Sequence, residues 1–205
     1  MAITFPLTLP TTIGMAEIQI IAADIVGESE SPFTFEQQIF DWQAQRWAGS
    51  VSLPSRMDRA SAEEWLAFLL ALRGKFGTFL MGDPAGATPR GTWAGTPLVN
   101  GASQTGLTLA VDGFSVGATG KKGDWFQLGS GSSSRLYKLT EDFTANGAGQ
   151  ATLDFWPRLR SSPADNDPLI SSAAKGIWRL AANERGWTLR DITTYGVSFP
   201  CKEAL

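Results

Sequence analysis

The sequence predicts a mainly β protein with a single α-helix and a small β-barrel inserted into a larger β scaffold. Three observations predict it. Apolar and polar residues alternate over much of the chain, one stretch alone has helical periodicity, and the texture changes between two Gly/Pro-rich joints. With 205 residues, 43% of them hydrophobic and 18% charged, the chain can bury a real core.

The first 14 residues read as an extended arm, in which Pro6 and Pro10 interrupt the apolar Phe5, Leu7 and Leu9. Proline lacks the amide that an inner strand must donate. Residues 15–26, rich in Ile and Val, read as a buried strand. Phe33–Asp41 and Trp47–Leu53 read as a strand pair, the second with Trp47, Gly49, Val51 and Leu53 on one face. The helix is expected at about 61–73, since Ser61-Ala62-Glu63-Glu64 has the form of a capping box and Gly74 is a natural stop. Trp65, Phe68, Leu69 and Leu72 make one stripe, and Leu66 with Leu70 a second. Both flanks of the helix therefore need cover, from the chain's own sheet or from a neighbour. Phe76–Met81 reads as the next strand.

Two joints without regular pattern follow, Gly82–Gly91 and Pro157–Pro168. Between them, Leu107–Val111, Trp125–Leu128, Leu136–Leu139, Ala151–Trp156 and a weaker Phe114–Val116 read as short strands. Eleven of the 22 glycines lie between Gly86 and Gly131 and mark turns. Short strands at this spacing suggest a small barrel or partly open sheet. Strand patterns return at Gly176–Leu180 and Trp187–Phe199. The expected organisation is a discontinuous scaffold, residues 1–85 with 166–205, carrying an inserted β domain at 86–165.

Composition removes several chemistries. The chain has no His, which excludes His-based triads, His metal ligands and imidazole pH switches. Its one Cys, Cys201, can form neither an intrachain disulfide nor a thiolate zinc cluster. Seventeen bases against 20 acids leave a formal charge of −3 and no electrostatic footprint for nucleic acid. Lys121, Lys122, Arg135 and Lys138 lie near Trp125, Phe126 and Tyr137, but residues 98–160 hold six bases and five acids, too even a balance for a phosphate-tracking groove. The longest apolar run, Trp65–Leu72, has eight residues where a membrane helix needs about 20. No basic leader opens the chain, and a cytoplasmic origin is expected.

The carboxylate pairs Glu63-Glu64, Glu141-Asp142 and Asp165/Asp167 read as helix-start and turn chemistry rather than as an acid/base dyad. Gly129–Ser134 reads as a hairpin tip, because a strand and not a helix follows it. No catalytic activity, metal or cofactor is expected. The eight Trp and twelve Phe read chiefly as core or subunit interface; a sugar-stacking platform, with Trp93 as a candidate, is the rival.

One resemblance rests on the order of several segments. Phe40-Asp41-Trp42-Gln43-Ala44-Gln45-Arg46-Trp47 leads through Leu53-Pro54 into the helix and on to Gly77-Thr78-Phe79-Leu80-Met81. An insert follows with Lys122-Gly123-Asp124-Trp125-Phe126-Gln127-Leu128 and Arg135-Leu136-Tyr137-Lys138-Leu139, and the chain closes on Phe199-Pro-Cys-Lys-Glu-Ala-Leu. From about residue 33 onward this resembles the distal tail proteins of long-tailed bacteriophages. The resemblance implies a tail-tube-like β-sandwich scaffold with an inserted OB-like barrel, and a structural virion protein without cofactor. Such a siphophage baseplate protein forms a homohexamer ring at the tail tip. One side of the ring meets the tail tube protein, the other the baseplate hub protein, and side tail fibres can attach to the barrel. DNA passes through the lumen without specific binding, no membrane is involved, and assembly takes place in the host bacterial cytoplasm. Under this reading Phe5, Leu7, Leu9, Leu66 and Leu70 are expected at subunit interfaces. Residues 1–45 hold six acids and no base, and Glu36 and Asp41 among them are expected to face the lumen, where like charge keeps DNA off the wall. The alternative is a carbohydrate-binding module of a phage receptor-binding or tail-fibre protein.

Overall fold

In a pleated strand every second side chain faces the same way, so alternating apolar residues give a sheet one greasy face that must be covered. The computed structural model describes residues 3–190 and 194–205. The chain begins with β1 (Leu7–Thr8), β2 (Glu17–Glu30), β3 (Gln37–Ser52), α1 (Arg59–Ala71) and β4 (Phe79–Met81). The insert holds β5 (Gly95–Val99), β6 (Thr108–Phe114), β7 (Thr119–Gly120), β8 (Trp125–Leu128), β9 (Arg135–Leu139), β10 (Phe143–Thr144), β11 (Ala151–Trp156) and β12 (Leu169–Ile170). The scaffold resumes with β13 (Gly176–Leu180), β14 (Trp187–Arg190) and β15 (Thr194–Glu203).

The scaffold sheet has the order β1-β4-β13-β15-β3-β2, with β14 paired to β15. It is mixed, because β1 runs parallel to β4. Register aligns Ile18 with Val51, Val51 with Phe199, Cys201 with Leu180, and Trp178 with Phe79, which gathers these side chains onto one face. That face is covered twice. The helix lies over one part, with Trp65 6.3 Å from Phe199 and Phe68 5.6 Å from Phe79, ring to ring. The barrel lies over another, where Trp125 and Leu136 join the same core. The opposite face carries Ser50, Ser52, Ser198, Pro200 and Lys202 and meets solvent. Gly49 is required where β3 passes β2, since a Cβ there would stand 2.2 Å from the Gln19 carbonyl oxygen.

The second sheet, β12-β8-β9-β11-β6-β5, is antiparallel throughout and nearly closes on itself. Leu98 and Pro168 bridge its two edges. Beside them the Val99 amide donates to the Asp167 carbonyl at 2.9 Å and the Asn166 amide to the Val99 carbonyl at 2.9 Å. Closure removes the open edges that would otherwise invite pairing. Inside, Phe126 stacks on Tyr137 at 5.3 Å, and Phe155 meets both rings edge-on.

The fold class is the predicted one: mainly β, with one helix and a barrel-like sheet inserted into a mixed sheet. Several details differ. Phe33–Asp41 and Trp47–Leu53 are not partners of each other. Residues 37–52 form one long strand paired with β2, and Phe33 belongs to the turn. A bulge between Ile25 and Val26 leaves Trp42 and Gln43 unopposed, which hides the strand's continuity from an alternation test. The helix starts at Arg59, two residues before the expected start, because Asp58 and not Ser61 caps it; the Asp58 Oδ1 accepts from the Ser61 amide at 3.2 Å. Phe114 ends β6, and Val116 lies beyond it. Phe76, expected in a strand, lies in a turn before β4 and is exposed. The strand expected at Trp187–Phe199 is two strands, β14 and β15; residues 191–193 between them, like residues 1 and 2 of the arm, lie outside the described residues. β12, which completes the barrel sheet, lies just past the expected boundary at residue 165.

Candidate functional site

β2 and β3 outrun the sheet. The last rung between β3 and β15 pairs Ala48 with Lys202, and beyond it β3 has β2 as its only ladder partner among the described residues. From the bulge outward, five residue pairs, Val26 with Asp41 through Glu30 with Gln37, form a free-standing ribbon of roughly 17 Å plus its turn. The ribbon exposes apolar side chains on both sides. Val26 and Ile39 lie on one face; on the other, Trp42 folds across Gly27 beside Phe40, with its Nε1 3.2 Å from where a Gly27 Cβ would stand. Phe33 is 91% exposed, Phe35 74% and Trp42 68%. β2 is also the sheet's last strand, 14 residues long, with neither Pro nor Lys to guard its open edge. Two-stranded ribbons are marginal in water, so these residues call for a partner.

The turn is built by Ser31. Its carbonyl accepts the Phe35 amide at 2.9 Å, its amide donates to the Glu36 carbonyl at 2.9 Å, and its Oγ accepts from the Thr34 amide at 3.3 Å. Phe35 pays a conformational penalty there, with φ of 57° in the left-handed region that suits Gly or Asn.

The ribbon's base is held hard. Trp47 lies 5.0 Å from Trp125 and 4.3 Å from Trp156, and its Nε1 donates to the Leu136 carbonyl at 2.9 Å. Trp156 Nε1 donates to Asp24 at 3.0 Å, and the Arg158 amide to Gln45 Oε1 at 2.7 Å. Barrel and joint thus clamp the hairpin on a rigid footing while its outer half stays free.

Of the residues singled out from sequence, Glu36 lies beside the exposed turn. Asp41 is exposed on β3, where its Oδ1 accepts the Gln43 amide at 2.7 Å and stabilises the bulge. Leu66 is 5% exposed, within the chain's own core, whereas Leu70 is 51% exposed. Phe5, Leu7 and Leu9 are half-buried against that core; Phe5 meets Phe76 edge-on at 5.9 Å and the Leu7 amide donates to the Thr78 carbonyl at 2.8 Å. The arm therefore has partners in its own chain. Beside it runs an apolar groove of about 1130 Å³, walled by the arm, by Trp65, Ala67, Phe68 and Ala71 of the helix, and by Leu80 and Met81 of β4. The hairpin and the groove were not legible as sites, since neither has a motif.

The rival aromatics lie inside. Trp93 is 5% exposed and cannot offer a face to a sugar ring, a correction to its candidacy. Its Nε1 donates to Asp124 at 3.1 Å. Trp125, Phe126 and Tyr137 are likewise buried, and Lys138 sits over Trp125 at 4.3 Å, so they form no stacking platform for bases. Asp124 is a structural buckle, accepting the amides of Lys121, Arg90 and Gly91 at 2.8–2.9 Å. Burial would raise its pKa, but these bonds and the indole outweigh burial and hold the carboxyl below its ordinary value. The acidic pairs serve locally too: Glu64 accepts from Thr12, Asp142 from Lys121 and Lys122, and Asp165 from the Gly101 amide. A scan against protein-family models and a search of curated proteins find no match for this chain.

Proposed function

We propose that this chain is a structural subunit of a ring at the distal end of a siphophage tail, joining tail tube to baseplate hub. The observation that carries the reading is the β2/β3 hairpin: clamped at its base, free beyond the bulge, with exposed apolar side chains on both faces and open along one edge. A monomer gains nothing from such a ribbon. In a closed ring every open edge and apolar flank meets a neighbouring copy, which is the general way symmetric assemblies remove exposed edges. The split scaffold with a laterally inserted barrel supports the same reading, with the barrel free to carry side fibres. Glu28, Glu30, Glu36 and Asp41 make the hairpin acidic, which suits a part that borders a DNA channel.

Electron microscopy tests this directly. Gold-labelled antibody against the chain should mark the far end of the tail in virions, and the purified protein on tail tubes should add a six-fold ring. Label on the capsid or on fibres alone overturns the reading. Glu36→Lys with Asp41→Lys should slow DNA ejection; unchanged kinetics move these two residues away from the lumen while leaving the ring in place.

A further inference from the structure

We propose that the hairpin turn of one copy seats Phe33 and Phe35 in the apolar groove beside the arm and helix of the next copy. This deepens the ring reading and rests on it for its biological setting. The hairpin extends from β2, one end of the scaffold sheet, whereas the groove borders β1 and β4 at the other end. A contact between two different surfaces of identical chains is heterologous, and repetition of it generates a ring or a filament. Three features make these surfaces complementary.

The first is chemistry. The groove's apolar lining includes Leu9, Ile13, Met15, Trp65, Phe68 and Ala71, beside the charged Glu64, Asp83 and Lys175, and the turn offers two phenyl rings in return. The second is size. At about 1130 Å³ the groove exceeds the roughly 300–1,000 Å³ of a small-molecule pocket and accommodates two rings with the turn that bears them. Phe33, Phe35, Phe40 and Trp42, the turn and one face of the ribbon, hold roughly 500–600 Å² of burial, the larger part of the about 800 Å² that one partner contributes to a standard interface. The third is the backbone of Phe35. A phenylalanine in the left-handed region is strained where glycine would be relaxed, so its ring is kept at a cost to the monomer.

The test uses two full-length variants, Thr34→Cys, which keeps both phenyl rings, and Ala67→Cys, mixed and treated with a short bis-maleimide. Ala67 lines the groove and is exposed; native Cys201 is buried and its thiol is pushed up to about 12, so it stays silent. Thr34→Cys mixed with Ser103→Cys, an exposed position on the barrel, is the control. The 34–67 product should exceed the 34–103 product at least tenfold, and Ala67→Arg should abolish self-association. Phe35→Gly should keep the wild-type melting temperature, since it relaxes the backbone, yet lower self-association at least tenfold. Equal yields for the two pairs overturn the proposal, even where microscopy finds the ring at the tail tip. A strong 34–67 link with gold elsewhere on the virion upholds the contact and removes the tail reading.

Discussion

Arg160, in the joint that leaves the barrel, lays its guanidinium across the carboxylate of Glu203 near the end of β15. Arg160 Nε reaches Glu203 Oε1 at 3.0 Å and its Nη2 meets Oε2, while a further guanidinium nitrogen donates to the Gln45 carbonyl. Glu203 Oε2 also accepts the Trp47 amide at 3.0 Å. One buried ion pair thus ties joint, last strand and hairpin base. Removing one partner of such a pair strands the other charge, at a cost of about 3–5 kcal/mol. Arg160→Ala should therefore lower the melting temperature by roughly 6–20 °C. The double variant Arg160→Met/Glu203→Leu should recover much of that loss, because no charge is left unpaired; calorimetry of the two proteins checks it.

Asp124 makes stability depend on pH in one direction. Its native pKa lies below the ordinary value, so its contribution is present above the unfolded-state pKa of about 4 and fades as pH falls through the lower native value. Asp124→Asn loses charge-assisted bonds to the amides of Lys121, Arg90 and Gly91 and should cost about 2–3 kcal/mol at neutral pH. Urea unfolding of both proteins between pH 7 and pH 3 should show that gap closing as the medium becomes acid.

Cys201 faces the helix-covered core, and burial pushes its thiol up to about 12. Thiolate is the reactive form, so the native protein should resist iodoacetamide at pH 8 and react only as fast as it unfolds. Adding denaturant should release a full equivalent of reactive thiol. Rapid labelling in buffer would place Cys201 outside the core.

Local alternation and local caps are written in the sequence, and tertiary pairing is not. Trp47, Val51 and the Trp65–Leu72 stripe were legible because each repeats at its element's own period. β1, β7, β10 and β12 are two residues each, too short to have a period, and exist because partners such as Phe79 and Leu128 hold them. β3 looked like two strands because Trp42 and Gln43 bulge out of its middle. The clamp between Arg160 and Glu203 spans 43 positions and leaves no local mark. The groove draws on residues around 7–15, 64–71, 80–87 and 173–175, segments that only the fold brings together.

The arm supplies the last prediction. Its sequence suggests an arm that serves a subunit interface, so that its removal would spare the fold. In the structure Leu7 and Thr8 extend the sheet beside Phe79 and Leu80, Phe5 packs on Phe76, and Thr12 donates to Glu64 at 2.8 Å. Phe5, Leu7 and Leu9 are half-buried, so at about 1.5–3 kcal/mol for each fully buried side chain, deleting residues 2–10 should cost roughly 2–4 kcal/mol. The truncated chain should melt roughly 4–16 °C lower, whereas Leu70→Ser, on the exposed flank of the helix, should shift it by little. The same deletion removes one wall of the groove, so a truncated protein that still folds should also lose self-association. Measured together, melting temperature and self-association separate the arm's service to its own chain from its service to the next.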